Sequence, residues 1–168
     1  KIKIIDKDNN ELPSNEIGEI ICKTDQIMDG YFNREKSTED AIRDGWFYTG
    51  DAGYIDEDGF LFIRDRIKDV IISGGENIYP AEVENELMAH SSIIDCAVIG
   101  VPDDKWGEAV LAVIVIDPSD FSEIEVKAFL KSRLAGFKVP KGFKIVDALP
   151  RNAAGKVTKG KLRERFCD

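Results

Sequence analysis

Four short stretches hold residues whose types and spacing could do chemistry. In Tyr48-Thr49-Gly50-Asp51 a carboxylate follows a glycine; an ionised Asp can accept two hydrogen bonds from vicinal sugar hydroxyls, although such an Asp taken alone is usually one that caps its own backbone at a turn. Arg64 to Asp69 packs three cations and two anions into six residues, which by default is a surface ion-pair network of small energetic value. Gly74-Gly75 follows an apolar run, as a tight turn requires or as close passage of a ligand past bare backbone would require. Pro150-Arg151-Asn152-Ala153-Ala154-Gly155-Lys156 reads as a flexible loop ending in a lysine. That lysine is either solvated or a movable cation for negative charge developing on a phosphate.

Other chemistries lack their residues. The one histidine, His90, ends a helical stretch from Glu82 with no nucleophile signature near it, so a Ser-His-Asp or Cys-His mechanism is disfavoured and His90 reads as a surface or helix-end residue. Cys22, Cys96 and Cys167 stand 74 and 71 residues apart, a spacing that forms no metal site and suits a reducing cytoplasm.

The elements that must position these residues fall into two patterns. Lys1 to Ile5 and Ile17 to Cys22 read as a hairpin with nothing to close it, Asn33 to Arg43 holds a short helix, and Gly45 to Asp51 returns to strand and turn. A second hairpin runs from Ala52 to Ile55 through the Asp56-Glu57-Asp58-Gly59 turn to Phe60–Arg64. From Ile67 strands and helices alternate: Val70 to Ser73, a helix opening at Pro80, strands Ile93–Val101 and Ala109–Ile116, and a helix with the capping box Ser122 and Glu125. Strand Phe143–Val146 and a helix from Thr158 to Phe166 complete it. The fold class is α+β, with a boundary near Arg64 to Lys68.

At 168 residues, 43% hydrophobic and 33% charged, the chain is an ordinary globular one of one domain or two small ones. The longest apolar run, Ala109–Ile116, is eight residues, too short for a membrane-spanning helix. Residues 1–130 carry 12 basic and 29 acidic side chains, and residues 131–168 carry 11 basic and 3 acidic. The basic tail either balances the acidic remainder or meets a polyanionic small molecule. Nucleic-acid binding is not expected, because aromatic interleaving in the tail stops at Phe137, Phe143 and Phe166. The chain opens on Lys1 with no initiator Met, which suggests a fragment.

Taken in order, Gly45 to Asp51, Asp65-Arg66-Ile67-Lys68-Asp69, Ile72 to Glu84 and Pro150 to Lys156 resemble the carboxyl-terminal part of adenylate-forming acyl-CoA synthetases, in wording most like bacterial fatty-acid–CoA ligases. The resemblance covers essentially the whole chain. It implies that residues 1–65 are the β-rich end of a large N-terminal domain and residues 66–168 a small mobile α+β C-terminal domain. It further implies ATP, Mg²⁺ and coenzyme A as cofactors and substrates, a carboxylic acid as the acyl donor, and the missing N-terminal domain as a partner.

By position the resemblance gives Asp51 and Arg66 to the ATP/AMP ribose, Lys68 to the hinge, and Lys156 to the carboxylate and phosphates during adenylation. Gly74 and Gly75 would line the pantetheine tunnel, and Trp106, Phe137 and Lys141 would face the coenzyme A nucleotide. Val139 stands where some aryl-CoA ligases carry arginine. The phosphate loop and acyl pocket of the family are missing from these residues, so the chain alone is expected to be inactive. The alternatives are an aryl- or small-acid–CoA ligase, or a non-catalytic domain that binds coenzyme A or a partner.

Overall fold

The computed structural model describes residues 1–117 and 121–167. It divides into two compact units, Lys1–Lys68 and Asp69–Asp168. The division falls after Lys68, so Arg66, the last residue of a strand, lies in the first unit.

The first unit is an antiparallel sheet built from β1 (Ile2–Ile5), β2 (Gly18–Cys22), β3 (Ile42–Arg43), β4 (Trp46–Ile55) and β5 (Leu61–Arg66), with one short helix, α1 (Glu35–Ala41). The amino-terminal hairpin is closed after all: β2 pairs with β4 as well as with β1. The apolar positions of β1 and β2 are therefore covered where the hairpin alone would expose them, and Ile4 and Ile20 are 3% and 5% exposed; Ile2 stays exposed. The β4–β5 turn follows its acidic sequence, since Asp56 Oδ1 accepts from the N–H groups of Asp58 and Phe60.

The second unit begins with the hairpin β6 (Ile71–Ser73) and β7 (Glu76–Ile78), followed by α2 (Pro80–Met88), β8 (Ile93–Asp103), β9 (Gly107–Ile116), α3 (Glu123–Lys131), β10 (Gly142–Ile145) and α4 (Lys159–Phe166). Pro80 occupies the first turn of α2, where its missing N–H costs nothing. The Ser122 hydroxyl accepts from Glu125 N–H at the start of α3, as the capping box predicts. The sheet centres on β9, which pairs antiparallel with β8 and β6 and parallel with β10.

Two buried clusters lie on opposite faces of the β8–β9 hairpin. Val98, Val110, Ala112 and Ile114 pack with Val83 and Leu87 of α2 and Val126 and Leu130 of α3. The alternate residues Ala97, Ile99, Leu111 and Val113 pack with Leu149 and with Leu162 of α4. This explains the uninterrupted apolar run of β9, because a strand covered by helices on both faces has no polar side to present. Each fully buried Val, Leu or Ile side chain here contributes about 1.5–3 kcal/mol. No described helix is long and apolar enough to cross a membrane.

Candidate functional site

In the first unit Asp51 faces Arg66 directly across the β4–β5 ladder, and Arg66 Nε lies 2.8 Å from Asp51 Oδ1. The segment expected to turn at Gly50 instead continues as strand. Its irregularity is a register shift against β2, where Glu19 pairs with Ala52 and Ile21 with Tyr48. Gly50 sits in that shift at φ +69°, its N–H donating to Glu19 Oε1 at 3.1 Å. Thr49 Oγ1 donates to the Ile20 carbonyl and accepts from Asp51 N–H. A bulge of this kind re-aims the side chain that follows it, and here it presents the half-buried Asp51 carboxylate to Arg66.

Lys68 closes the first unit in a single 3-10 turn, Ile67–Asp69, and its side chain is exposed. Asp69 opens the second unit and is held by Arg163 of α4, with Nη2 2.8 Å from Oδ1.

In the second unit four predicted residues, Gly74, Gly75, Trp106 and Lys141, come together. Gly74 and Gly75 are the two central residues of the β6–β7 turn, at φ +62° and +87°, the left-handed values that a two-residue hairpin of this hand requires. Gly74 N–H donates to the Trp106 carbonyl at 2.8 Å, and a Cβ on Gly74 would stand 2.7 Å from Trp106 Cε3. Nothing lies within 4 Å of a Cβ on Gly75. Trp106 is 43% exposed and has Lys141 Nζ 5.1 Å and Lys105 Nζ 4.6 Å from its ring, within the range of cation–π attraction.

Asp103 organises this cluster, and the residue types alone did not reveal it. Its Oδ1 accepts from the N–H groups of Lys105 and Trp106 at 3.0 and 2.9 Å, while Oδ2 lies 3.5 Å from Lys141 Nζ. The Trp106 N–H foremost, with Lys105 and Lys141 behind it, holds the carboxyl below the usual carboxylate range. The signal available in the sequence was an Asp two and three residues before Lys105 and Trp106, the spacing of an Asx turn. Phe137 lies in the short turn Gly136–Lys138, half exposed, with Lys138 Nζ 5.8 Å from its ring. Val139, by contrast, is buried in the core with α2 and α3.

The loop expected to be flexible is a closed, hydrogen-bonded turn. Arg151 and Val157 form an antiparallel bridge, and Asn152 Oδ1 accepts from Ala154 and Lys156 N–H. Lys156 stands exposed on this turn, with no ion-pair partner among the described residues. His90 is a structural residue: its Nδ1 is 2.9 Å from the Ser92 hydroxyl and its ring meets Phe129 edge-on. Among the described residues no three His, Cys, Asp or Glu side chains are grouped to hold a metal.

The basic tail is largely an internal counter-charge. Arg133, Lys138, Lys141, Arg151, Lys159 and Arg163 pair respectively with Glu86, Glu82, Asp103, Asp95, Glu84 and Asp69. Six of the eleven basic residues of the tail are thus paired with carboxylates of the second unit.

Comparison with known proteins relates the chain to adenylate-forming enzymes. Residues 82–156 match the AMP-binding enzyme C-terminal domain family. The chain is 48% identical over 168 residues to a feruloyl-CoA synthase of an Amycolatopsis species, covering 98% of this chain and 34% of that protein. It is 46% identical over 149 residues to the long-chain-fatty-acid–CoA ligase FadD13 of Mycobacterium tuberculosis, covering 89% and 30%. The o-succinylbenzoate CoA synthetase MenE of Bacillus subtilis, solved with the acyl-adenylate OSB-AMP, superimposes with a TM-score of 0.91 at 44% identity over 97% of this chain and 33% of that one. The same enzyme solved with ATP and magnesium gives 0.90 at 42% identity, over 97% and 34%. Residues 82–156 belong to the AMP-binding enzyme C-terminal domain family, and the chain is similar over nearly its whole length to the C-terminal region of adenylate-forming ligases. It spans about a third of the length of the curated relatives it matches.

Proposed function

We propose that this chain is the C-terminal part of an ATP-dependent acid–CoA ligase that activates a fatty acid. In the first half-reaction a carboxylate oxygen attacks the α-phosphorus of ATP and pyrophosphate leaves. In the second, the coenzyme A sulfur attacks the acyl carbonyl and AMP leaves. On this reading the first unit is the β-rich end of the large N-terminal domain, and the second unit is the mobile C-terminal domain hinged at Lys68.

The observation that carries the reading is Lys156, an exposed, unpaired ammonium on a fixed turn at the end of the segment that matches the AMP-binding family. Such a cation can meet negative charge that grows on a phosphate as a bond to it breaks. Asp51, oriented by Arg66, offers acceptor oxygens to ribose hydroxyls. Lys141 and Trp106 offer a cation and an aromatic face to the coenzyme A nucleotide, Phe137 offers a second such face, and Gly74, seated against the Trp106 ring, and Gly75, with open space beside it, would line the pantetheine tunnel. Magnesium is read as accompanying the ATP phosphates, and its chemistry would be charge neutralisation there.

A second acid class has its own support. The feruloyl-CoA synthase and MenE are as similar to the chain as the fatty-acid ligase is, which favours an aryl- or small-acid–CoA ligase as the alternative. The test is thioester formation by the complete enzyme across saturated fatty acids and aromatic acids, with ATP, magnesium and coenzyme A. Turnover of fatty acids supports the first reading, and turnover confined to aromatic or small acids replaces it with the second. The 168-residue chain by itself is expected to form no acyl-adenylate, and appreciable formation would overturn the proposed division of labour.

A further inference from the structure

The peptide unit between Gly155 and Lys156 is held from both sides. Its carbonyl accepts from Arg151 Nη1 at 2.7 Å, and its N–H donates to Asn152 Oδ1 at 2.9 Å. The Lys156 carbonyl in turn accepts from Asn152 N–H at 2.9 Å. The other guanidinium nitrogen of Arg151, Nη2, lies 2.6 Å from Asp95 Oδ2. Asp95 is itself fixed, since its Oδ1 accepts from Cys96 N–H at 3.0 Å. It stands on β8 immediately after the register shift that begins at Ile93, where a bulge re-aims the side chain. The guanidinium therefore bridges the peptide that carries Lys156 to the central hairpin of the second unit.

We propose that Arg151, backed by Asp95, is the positioning residue for Lys156. A planar guanidinium with two nitrogens engaged at once fixes a direction as well as a distance. Asn152 shapes the turn from within five residues, whereas Arg151 fastens it to the sheet across 56 residues of sequence. Lys156 is thus presented from a platform that moves with β8, and its own side chain supplies the remaining reach. The inference rests on the reading of Lys156 as the adenylation cation.

The test uses the complete enzyme and measures its two half-reactions separately: ATP–pyrophosphate exchange for adenylation, and thioester formation from supplied acyl-adenylate for thiol transfer. Lys156→Ala, Arg151→Ala, Arg151→Lys and Asp95→Asn are compared. Arg151→Ala is expected to lower kcat for adenylation by about ten- to a hundredfold, as misplacement of a catalytic group by about an ångström does, while thiol transfer is retained. Arg151→Lys should recover part of the loss, because one donor remains. If Lys156→Ala abolishes adenylation and Arg151→Ala leaves it intact, Arg151 does not position Lys156. If Arg151→Ala lowers both half-reactions equally, its role is general stability and the proposal fails. If Lys156→Ala leaves adenylation intact, the reading of Lys156 fails, and the positioning role fails with it.

Discussion

Trp106 lies so close to Gly74 that a methyl group on that glycine would stand 2.7 Å from the indole Cε3. The contact separates two adjacent glycines that look equivalent in the sequence. Gly74→Ala must displace the ring as well as strain the backbone, whereas Gly75→Ala meets only the strain of its positive φ. Trp106 fluorescence, read in a Trp46→Phe background, should shift with Gly74→Ala and hold steady with Gly75→Ala. Equal shifts would show that the ring responds to the turn as a whole.

The pairing of Asp51 with Arg66 is partly exposed, so its loss should cost the fold no more than about 1 kcal/mol. Its loss should matter to nucleotide binding instead. Asp51→Ala in the complete enzyme is expected to weaken AMP binding about ten- to a hundredfold, the usual size for removing a charged acceptor. Calorimetric titration with AMP checks this, and unchanged affinity would remove Asp51 from the ribose site.

Ion pairs in the second unit should differ in worth according to burial. The Asp69 side chain is 13% exposed and paired with Arg163, so Arg163→Met leaves a nearly buried carboxylate without its partner, at a cost of about 1–3 kcal/mol. Glu123→Ala breaks an exposed helical pair with Lys127 and should cost under about 0.5 kcal/mol. Urea denaturation midpoints compare the two, and similar losses would refute the distinction.

Cys96 sets an alkaline limit on stability. Burial, with the Glu84 and Asp95 charges behind it, pushes the thiol up from 9.0 to about 12. Below pH 9 the thiol is protonated folded and unfolded alike, and it changes nothing. Between pH 9 and about 12 the unfolded chain releases this proton while the folded chain keeps it, so stability falls as pH rises. Cys96→Ala should show a shallower fall over that window in pH-dependent urea unfolding. An unchanged slope would mean that Cys96 titrates normally in the folded protein. In the native protein iodoacetamide should label Cys22 and Cys167 ahead of Cys96, since the last is buried and the others are partly exposed.

Local chemistry carried far in the sequence where each signal was completed within a few residues. The Ser122 N-cap, Pro80 at the start of α2, the acidic turn after Ile55 and the Gly74-Gly75 hairpin turn all form as their residue types require. The order of motifs along the chain was enough to place it among adenylate-forming enzymes, because it needs no distance between them.

The tertiary structure decided what depends on partners far away in the chain. Gly50 and Asp51 carry turn residues, yet pairing with β2 and β5 keeps them in a strand, because ladder hydrogen bonds outweigh local turn preference. The loop before Lys156 looked flexible because its anchor, Asp95, is 56 residues from Arg151. The sequence left the basic tail open between balancing the acidic remainder and meeting a polyanion, because the carboxylates it pairs with lie on earlier elements. Composition counts charges, and only the packing of α2, β8 and α4 decides which of them meet a counter-ion among the described residues, as Lys138, Arg151 and Lys159 do, and which, like Lys156, do not.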